Sequence, residues 1–241
     1  MANKTLRAGL IIFAVFLLCC AAGCSFFKKD QMVRNSPEAL YIRGSAEFQD
    51  GSYKKAREFF IRLKDEYPLH NLAILAELGI ADSFFTDKEY PEAENAYREF
   101  LNMHPTNEHI PYVLYQLGMC HYSLKGTIDR DQTETIKASK EFERLIARFP
   151  ENKFSLAAGK YLRECKQDLA EQEFYVGQFY FRQKKYSAAL NRFETIARNY
   201  ANLGLDYKIE YYIGETKRKL AEEEKLKQAA AEKLKQKATK K

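Results

Sequence analysis

Apolar and small residues recur along this chain at a fixed spacing. Tyr53, Ala56, Phe60, Leu63 and Pro68 make one set, and Tyr90, Ala93, Tyr97, Phe100 and Pro105 a second. Thr135, Ala138, Phe142, Leu145 and Pro150 make a third, and Tyr186, Ala189, Phe193, Ile196 and Ala201 a fourth. Every set runs 0, +3, +7, +10, +15, which places the first four members on one face of an α-helix. A proline closes each helix except the last, where Ala201 stands instead. Upstream of each set lies another amphipathic segment with a small residue, Gly44, Ala81, Gly118 or Gly177, separated from the alanine by 12, 12, 20 and 12 residues. Asp50-Gly51, Lys88-Glu89 and Lys184-Lys185 fall where a tight turn must join the two helices. Two antiparallel helices approach closely where small side chains meet, so Gly44 is expected opposite Ala56. The +7 aromatic is expected to fill the gap to the next helix pair.

This register resembles the tetratricopeptide repeat, a helix–turn–helix unit that stacks into an α-solenoid. The fold class expected is therefore all-α, an α-solenoid of about five helix pairs. The third pair carries eight extra residues around Gly126 to Thr133, an insertion expected on a surface loop. The segment from Ser155 to about Gln183 reads as two helices, Ser155–Leu169 and Ala170–Gln183, or as one bent helix. From Tyr207 to Leu220 a last segment places Gly214 in the small-residue position, as the first helix of a fifth pair. The organisation expected is thus a segment 1–23, a linker 24–36, repeats one to three over 37–150, repeats four and five over 151–220, and a charged helical tail over 221–241.

The start of the chain has a different character. Lys4 and Arg7 precede an uncharged apolar run, Ala8 to Leu18, and then Ala21-Ala22-Gly23-Cys24. A basic start, an apolar middle and small residues make a secretory signal. A cysteine directly after Gly23 makes the segment resemble a bacterial lipobox, which implies N-acyl and S-diacylglycerol lipid on Cys24. Ser25 follows in place of aspartate, which by resemblance to sorted lipoproteins implies the outer membrane, with the protein facing the periplasm. The competing reading is an uncleaved anchor from Ala8 to Phe27.

Composition changes the picture in one respect. The net charge of +6 looks like a footprint for an acidic partner. From Lys217 to Lys241, however, ten Lys/Arg and four Glu supply that whole excess, so the repeat body is near neutral and a nucleic-acid surface is not indicated. Cys120 and Cys165 lie outside the signal and read as buried thiols, with a disulfide between helices of neighbouring repeats as the alternative. His70, His104, His109 and His121 form no metal or catalytic pattern, and no phosphate loop or nucleophile elbow occurs. The expectation is a non-enzymatic scaffold without cofactor or metal, since stacked helix pairs present surfaces suited to peptides and partner domains.

Asp129-Arg130-Asp131-Gln132-Thr133, the helix around Leu169-Ala170-Glu171 to Tyr180, and Asn191-Arg192 together resemble the BamD family, lipoprotein subunits of the outer-membrane β-barrel assembly machinery. The resemblance implies binding to the POTRA domains of a BamA-like β-barrel protein, contact with other assembly lipoproteins, and recruitment of unfolded outer-membrane proteins. It assigns partner contact to Arg192 and Asn191 and to the loop Asp129, Arg130 and Asp131. Tyr41, Phe48 and Phe84 are candidates to line a substrate groove. The runner-up reading is a repeat lipoprotein that organises another cell-envelope or secretion assembly.

Overall fold

The computed structural model describes residues 35–238. The expected signal, Cys24 and most of the linker lie outside the described residues. Among the described residues, nine α-helices follow one another: α1 Pro37–Gln49, α2 Tyr53–Glu66, α3 Asn71–Thr86, α4 Tyr90–Met103, α5 Ile110–Leu124, α6 Thr133–Arg148, α7 Lys153–Arg182, α8 Tyr186–Asn199 and α9 Asp206–Ala238. None of these helices is long and apolar enough to cross a membrane.

Local chemistry sets the helix ends. Ser36 caps α1 by accepting from the Ala39 amide at 3.2 Å, with Pro37 in the first turn. Asn152 Oδ1 caps α7 through the Phe154 amide at 2.9 Å. Tyr67 and Phe149 leave the helix with φ of −136° and −138°, as expected of a residue before proline. Tyr200 does the same at −133° although Ala201 follows it, so the stop does not need the missing proline. Gly51, Lys88 and Lys184 take positive φ of 77°, 64° and 58° and turn the chain between paired helices.

The chain divides into two compact units after Phe100, within α4. The third repeat therefore belongs with the C-terminal unit, and the boundary expected after Pro150 does not coincide with the division in packing. In the first unit Leu40, Ala56, Phe60, Leu63, Ala76 and Ile80 form the core. A Cβ added to Gly44 would lie 2.6 Å from Phe60 Cε1, and one added to Gly79 would lie 2.7 Å from Phe60 Cε2. The Phe60 ring is thus held between its own repeat and the next. The glycine therefore makes room for the aromatic ring of the paired helix.

The same device recurs in the second unit. Gly118 abuts Phe142, and an added Cβ at Gly177 would lie 2.6 Å from Phe193. Helix α7 resolves the open alternative as one continuous helix of 30 residues. Its first half stacks Tyr161 on Phe142 at 5.9 Å, and its second half sets Phe174 on Phe193 at 5.8 Å. Cys120 and Cys165 are buried thiols. Helix α9 is likewise continuous for 33 residues, with Ile209 and Thr216 buried and residues 221–237 almost wholly exposed.

Candidate partner-binding surface

Arg192 lies on α8 and is half-exposed. Its Nη1 donates to both carboxylate oxygens of Glu173 on α7, at 3.0 and 2.9 Å. Sequence reasoning missed Glu173, because nothing in the chain pattern signals a pairing 19 residues away. The ion pair crosses from one helix of the fourth repeat to the other and holds the guanidinium in a fixed place, with part of its surface open. Asn191 beside it is exposed. Burial, then the charges of Glu173 and Glu143, raise the pKa of the Tyr200 hydroxyl at the end of α8. Tyr200, Ile136 and Leu169 line a cleft of about 340 Å³, edged by Lys140 and by the Lys166–Glu143 ion pair at 2.9 Å. Apolar walls with opposed charges at the rim suit a peptide segment.

The inserted loop between α5 and α6 is tightly self-bonded. Thr127 Oγ1 donates to Asp129 Oδ1 at 2.5 Å, and the Thr133 amide donates to Asp131 Oδ1 at 2.5 Å. Buried Gln132 donates from Nε2 to the Thr127 and Arg130 carbonyls at 2.8 and 3.1 Å, and accepts from Thr135 at 2.9 Å. These bonds, Thr127 first for Asp129 and Thr133 first for Asp131, keep both carboxyls below the usual carboxylate range. Asp129, Arg130 and Asp131 are exposed. Among the described residues no hydrogen bond or ion pair connects them with Arg192.

The loop's first end is fixed to α7. Lys125 donates to Asp168 at 2.6 Å and lies 4.5 Å from the centre of the Tyr122 ring, while Tyr122 donates to Glu164. Burial alone would lower the Lys125 pKa, but the Asp168 hydrogen bond and charge outweigh it and raise it. The second end is fixed by buried His121, 2.7 Å from Glu134.

Tyr41, Phe48 and Phe84 are half-buried flanks of the first unit's core. Tyr41 packs on Phe60 at 5.8 Å, and Phe48 closes edge-on against Tyr53 at 5.4 Å across the tight turn. Phe85–Tyr90 and Phe181–Tyr186 repeat that turn clasp at 5.4 and 5.6 Å. Phe84 lies under the Arg57 guanidinium at 4.3 Å. Arg57 is itself buried and pairs with Asp87 and Glu89, both at 3.2 Å. Packing accounts for much of all three side chains, and only their partly exposed edges face outward.

The family model YfiO, described as an outer membrane lipoprotein, matches residues 33–234. The chain belongs to the BamD family of outer membrane lipoproteins. The outer membrane protein assembly factor BamD of Rickettsia prowazekii is 31% identical over 198 residues, covering 82% of this chain and 77% of that one. The BamD of Neisseria meningitidis is 26% identical over 209 residues, covering 82% and 76%. That of Vibrio cholerae is 24% identical over 205 residues, covering 79% and 85%. Among solved structures, MamA from Desulfovibrio magneticus is similar at 17% identity with a TM-score of 0.40, covering 69% of this chain and 77% of that one. BamD-family membership extends over both units, including the loop of Asp129 to Asp131 and the Asn191-Arg192 pair.

Proposed function

We propose that this chain is a non-catalytic scaffold in the assembly of outer-membrane proteins. It is held on the periplasmic face of the outer membrane by lipid on Cys24. It binds the POTRA domains of a BamA-like β-barrel subunit, contacts other assembly lipoproteins and helps recruit unfolded outer-membrane proteins. The observation that carries this reading is the family match over most of the chain, from residue 33 to 234. The second unit supports it with a half-exposed arginine, Arg192, held by Glu173, and with a peptide-sized cleft lined by Tyr200, Ile136 and Leu169. Arg192 is proposed to meet a carboxylate of the POTRA partner through a charge-assisted contact.

The first test is a mild-detergent purification of the lipidated protein from outer membranes. Recovery of a POTRA-bearing β-barrel protein in near-stoichiometric amount supports the reading. Recovery of peptidoglycan-associated or secretion components alone refutes it. At residue level, Arg192→Glu is expected to weaken POTRA binding by about 1–2 kcal/mol, less than for a fully buried pair because the side chain is 40% exposed. The swap Arg192→Glu with Glu173→Arg restores the internal ion pair but not the outward charge. Full recovery of binding in the swap would show that Arg192 serves only the fold.

A further inference from the structure

The exposed half of α9 sorts its side chains by face. Leu226, Ala230 and Leu234 stand four residues apart and make one stripe along the helix. Leu226 is 72% and Leu234 69% exposed, so no described residue covers the stripe. Lys227, Lys233 and Lys237 each lie three residues from one member of the stripe and seven from another, which borders it with ammonium groups. Gln228, Glu232 and Gln236 share the opposite face.

Charge follows the same division. Upstream, Glu222 pairs with Arg218 and Lys219 at 3.3 and 3.1 Å, and Glu223 pairs with Lys227 at 2.7 Å. From Lys225 to Lys237 five lysines stand against one acid, Glu232, on the face away from the leucines. Lys233 and Lys237 make no hydrogen bond or ion pair among the described residues. The leucine face is therefore apolar and cationic at once.

Two observations favour lipid over protein as its occupant. Protein interfaces centre on aromatic and arginine anchors and are poor in lysine. Residues 219–237 hold no aromatic residue and no arginine, and their cations are all lysine. A lysine lays its stem along apolar surface and keeps its charge at the level of lipid headgroups. The second observation is that the chain belongs to a family of outer membrane lipoproteins, which brings a bilayer surface within reach. The helix is not apolar enough to cross that bilayer. With alanine between two leucines it sinks only shallowly, and anionic headgroups must supply the rest of its affinity.

We infer that the stripe from Leu226 to Leu234, with Lys233 and Lys237 beside it, forms a membrane-surface helix that binds anionic phospholipid. The inference rests on the proposed lipid on Cys24 for holding the chain at a bilayer. Helix α9 then adds a second, charge-dependent contact to the same surface.

The test places a polarity-sensitive nitrobenzoxadiazole label on Leu234→Cys in the full-length chain purified from membranes; buried Cys120 and Cys165 resist the reagent. Gln228→Cys carries the same label on the opposite face. The chain is floated with vesicles of phosphatidylcholine, alone or with about a third phosphatidylglycerol, and quenching by aqueous acrylamide is read. Anionic vesicles are expected to shield the label at position 234 and not at 228, and about 0.5 M salt is expected to release it. A lysine near an anionic surface is worth about fivefold in partitioning, so Lys233→Gln with Lys237→Gln should lower the ratio of shielded to open label roughly twenty-fold. Glutamine forms helix about as well as lysine, and circular dichroism checks that helix content persists. The vesicles hold no other protein, so neither result depends on the assembly reading. Equal quenching at position 234 on both vesicles, equal shielding at 228, or shielding that the double variant leaves unchanged overturns the proposal. So does shielding in native outer membranes that protein-free anionic vesicles do not reproduce, since the occupant is then a protein. A chain that floats with neutral vesicles but leaves position 234 open keeps the lipid anchor and loses the surface helix. Flotation with anionic vesicles alone, abolished in the double variant, removes the lipid anchor and keeps the surface helix.

Discussion

The contact of Gly177 with Phe193 yields a sign reversal that stability measurements can read. Phe193 is fully buried, 5.8 Å from the Phe174 ring centre and 5.2 Å from that of Tyr212. Phe193→Ala removes this packing and is expected to cost about 3–5 kcal/mol. Gly177→Ala has two opposed effects. Its new Cβ would lie 2.6 Å from the Phe193 ring, an overpacking worth roughly 1–3 kcal/mol, while helix propensity gains about 1 kcal/mol. The net is a loss of about 0–2 kcal/mol when Phe193 is present. In the Phe193→Ala background the ring is gone, and the same change should stabilise by up to about 1 kcal/mol. The coupling is therefore about 1–3 kcal/mol. Urea unfolding followed by far-ultraviolet circular dichroism measures all four corners of the cycle, and unfolding of a repeat array is checked for two-state behaviour first. Gly214→Ala serves as the control, since it gains propensity with no ring to meet; the gain should raise Tm by about 2–4 °C. An equal effect of Gly177→Ala in both backgrounds would refute the idea that the glycine exists to admit the ring.

Two further outcomes follow from the packing, and a third from the sequence alone. Burial alone would raise the Glu134 pKa, but hydrogen bonds from Lys137 and His121 prevail and hold the carboxyl below its ordinary value of 4.5. A depressed carboxyl stabilises the fold above its unfolded pKa and ceases to do so as pH falls through the folded one. Glu134→Gln should therefore cost about 1 kcal/mol near neutrality and flatten the acid limb of the stability curve; an unchanged acid limb counts against the pair. Burial pushes the Cys165 thiol up to about 11, so a thiol reagent at about pH 8 should label Cys165 only as fast as the protein opens; immediate labelling of the native protein refutes this. Cys24→Ala should abolish labelling with a radioactive fatty acid, and persistence of mature, lipid-labelled protein would exclude Cys24 as the acceptor.

The repeat was legible because its physics is local. Sets such as Ala189, Phe193 and Ile196 lie on one helical face, and the structure buries all three. The tight turns were legible from their place in the register; Gly51 suits the positive φ found there, whereas nothing in the residue type signals it at Lys88 and Lys184. What the small residue contacts was not legible. Spacing places Gly44 and Ala56 on helices that meet, but the ring of Phe60 reaches the glycine only through its side-chain direction. The continuity of α7 was also open, because the sequence there lacks proline and either reading satisfies the periodicity. Cross-helix polar pairs such as Arg192–Glu173 and Lys125–Asp168 leave no sequence period at all.

Aromatic residues thus do two kinds of work in this chain, and position along the array separates them. Inside the array, a ring such as Phe60 sits between glycines of successive repeats, so each repeat needs its neighbour to be buried. On α9, among the described residues, a Cβ on Gly214 would meet nothing within 4 Å. An ordinary solenoid closes with a polar helix, whereas α9 keeps Tyr207 and Tyr211 exposed on the face where the next ring would lie. An exposed aromatic pair beside an open glycine costs solubility when nothing covers it. The rest of α9, almost wholly exposed from residue 221 onward and rich in lysine, offsets that cost. The packing rule that places a ring against Gly44, Gly118 and Gly177 therefore leaves Gly214 on α9 with no ring against it among the described residues.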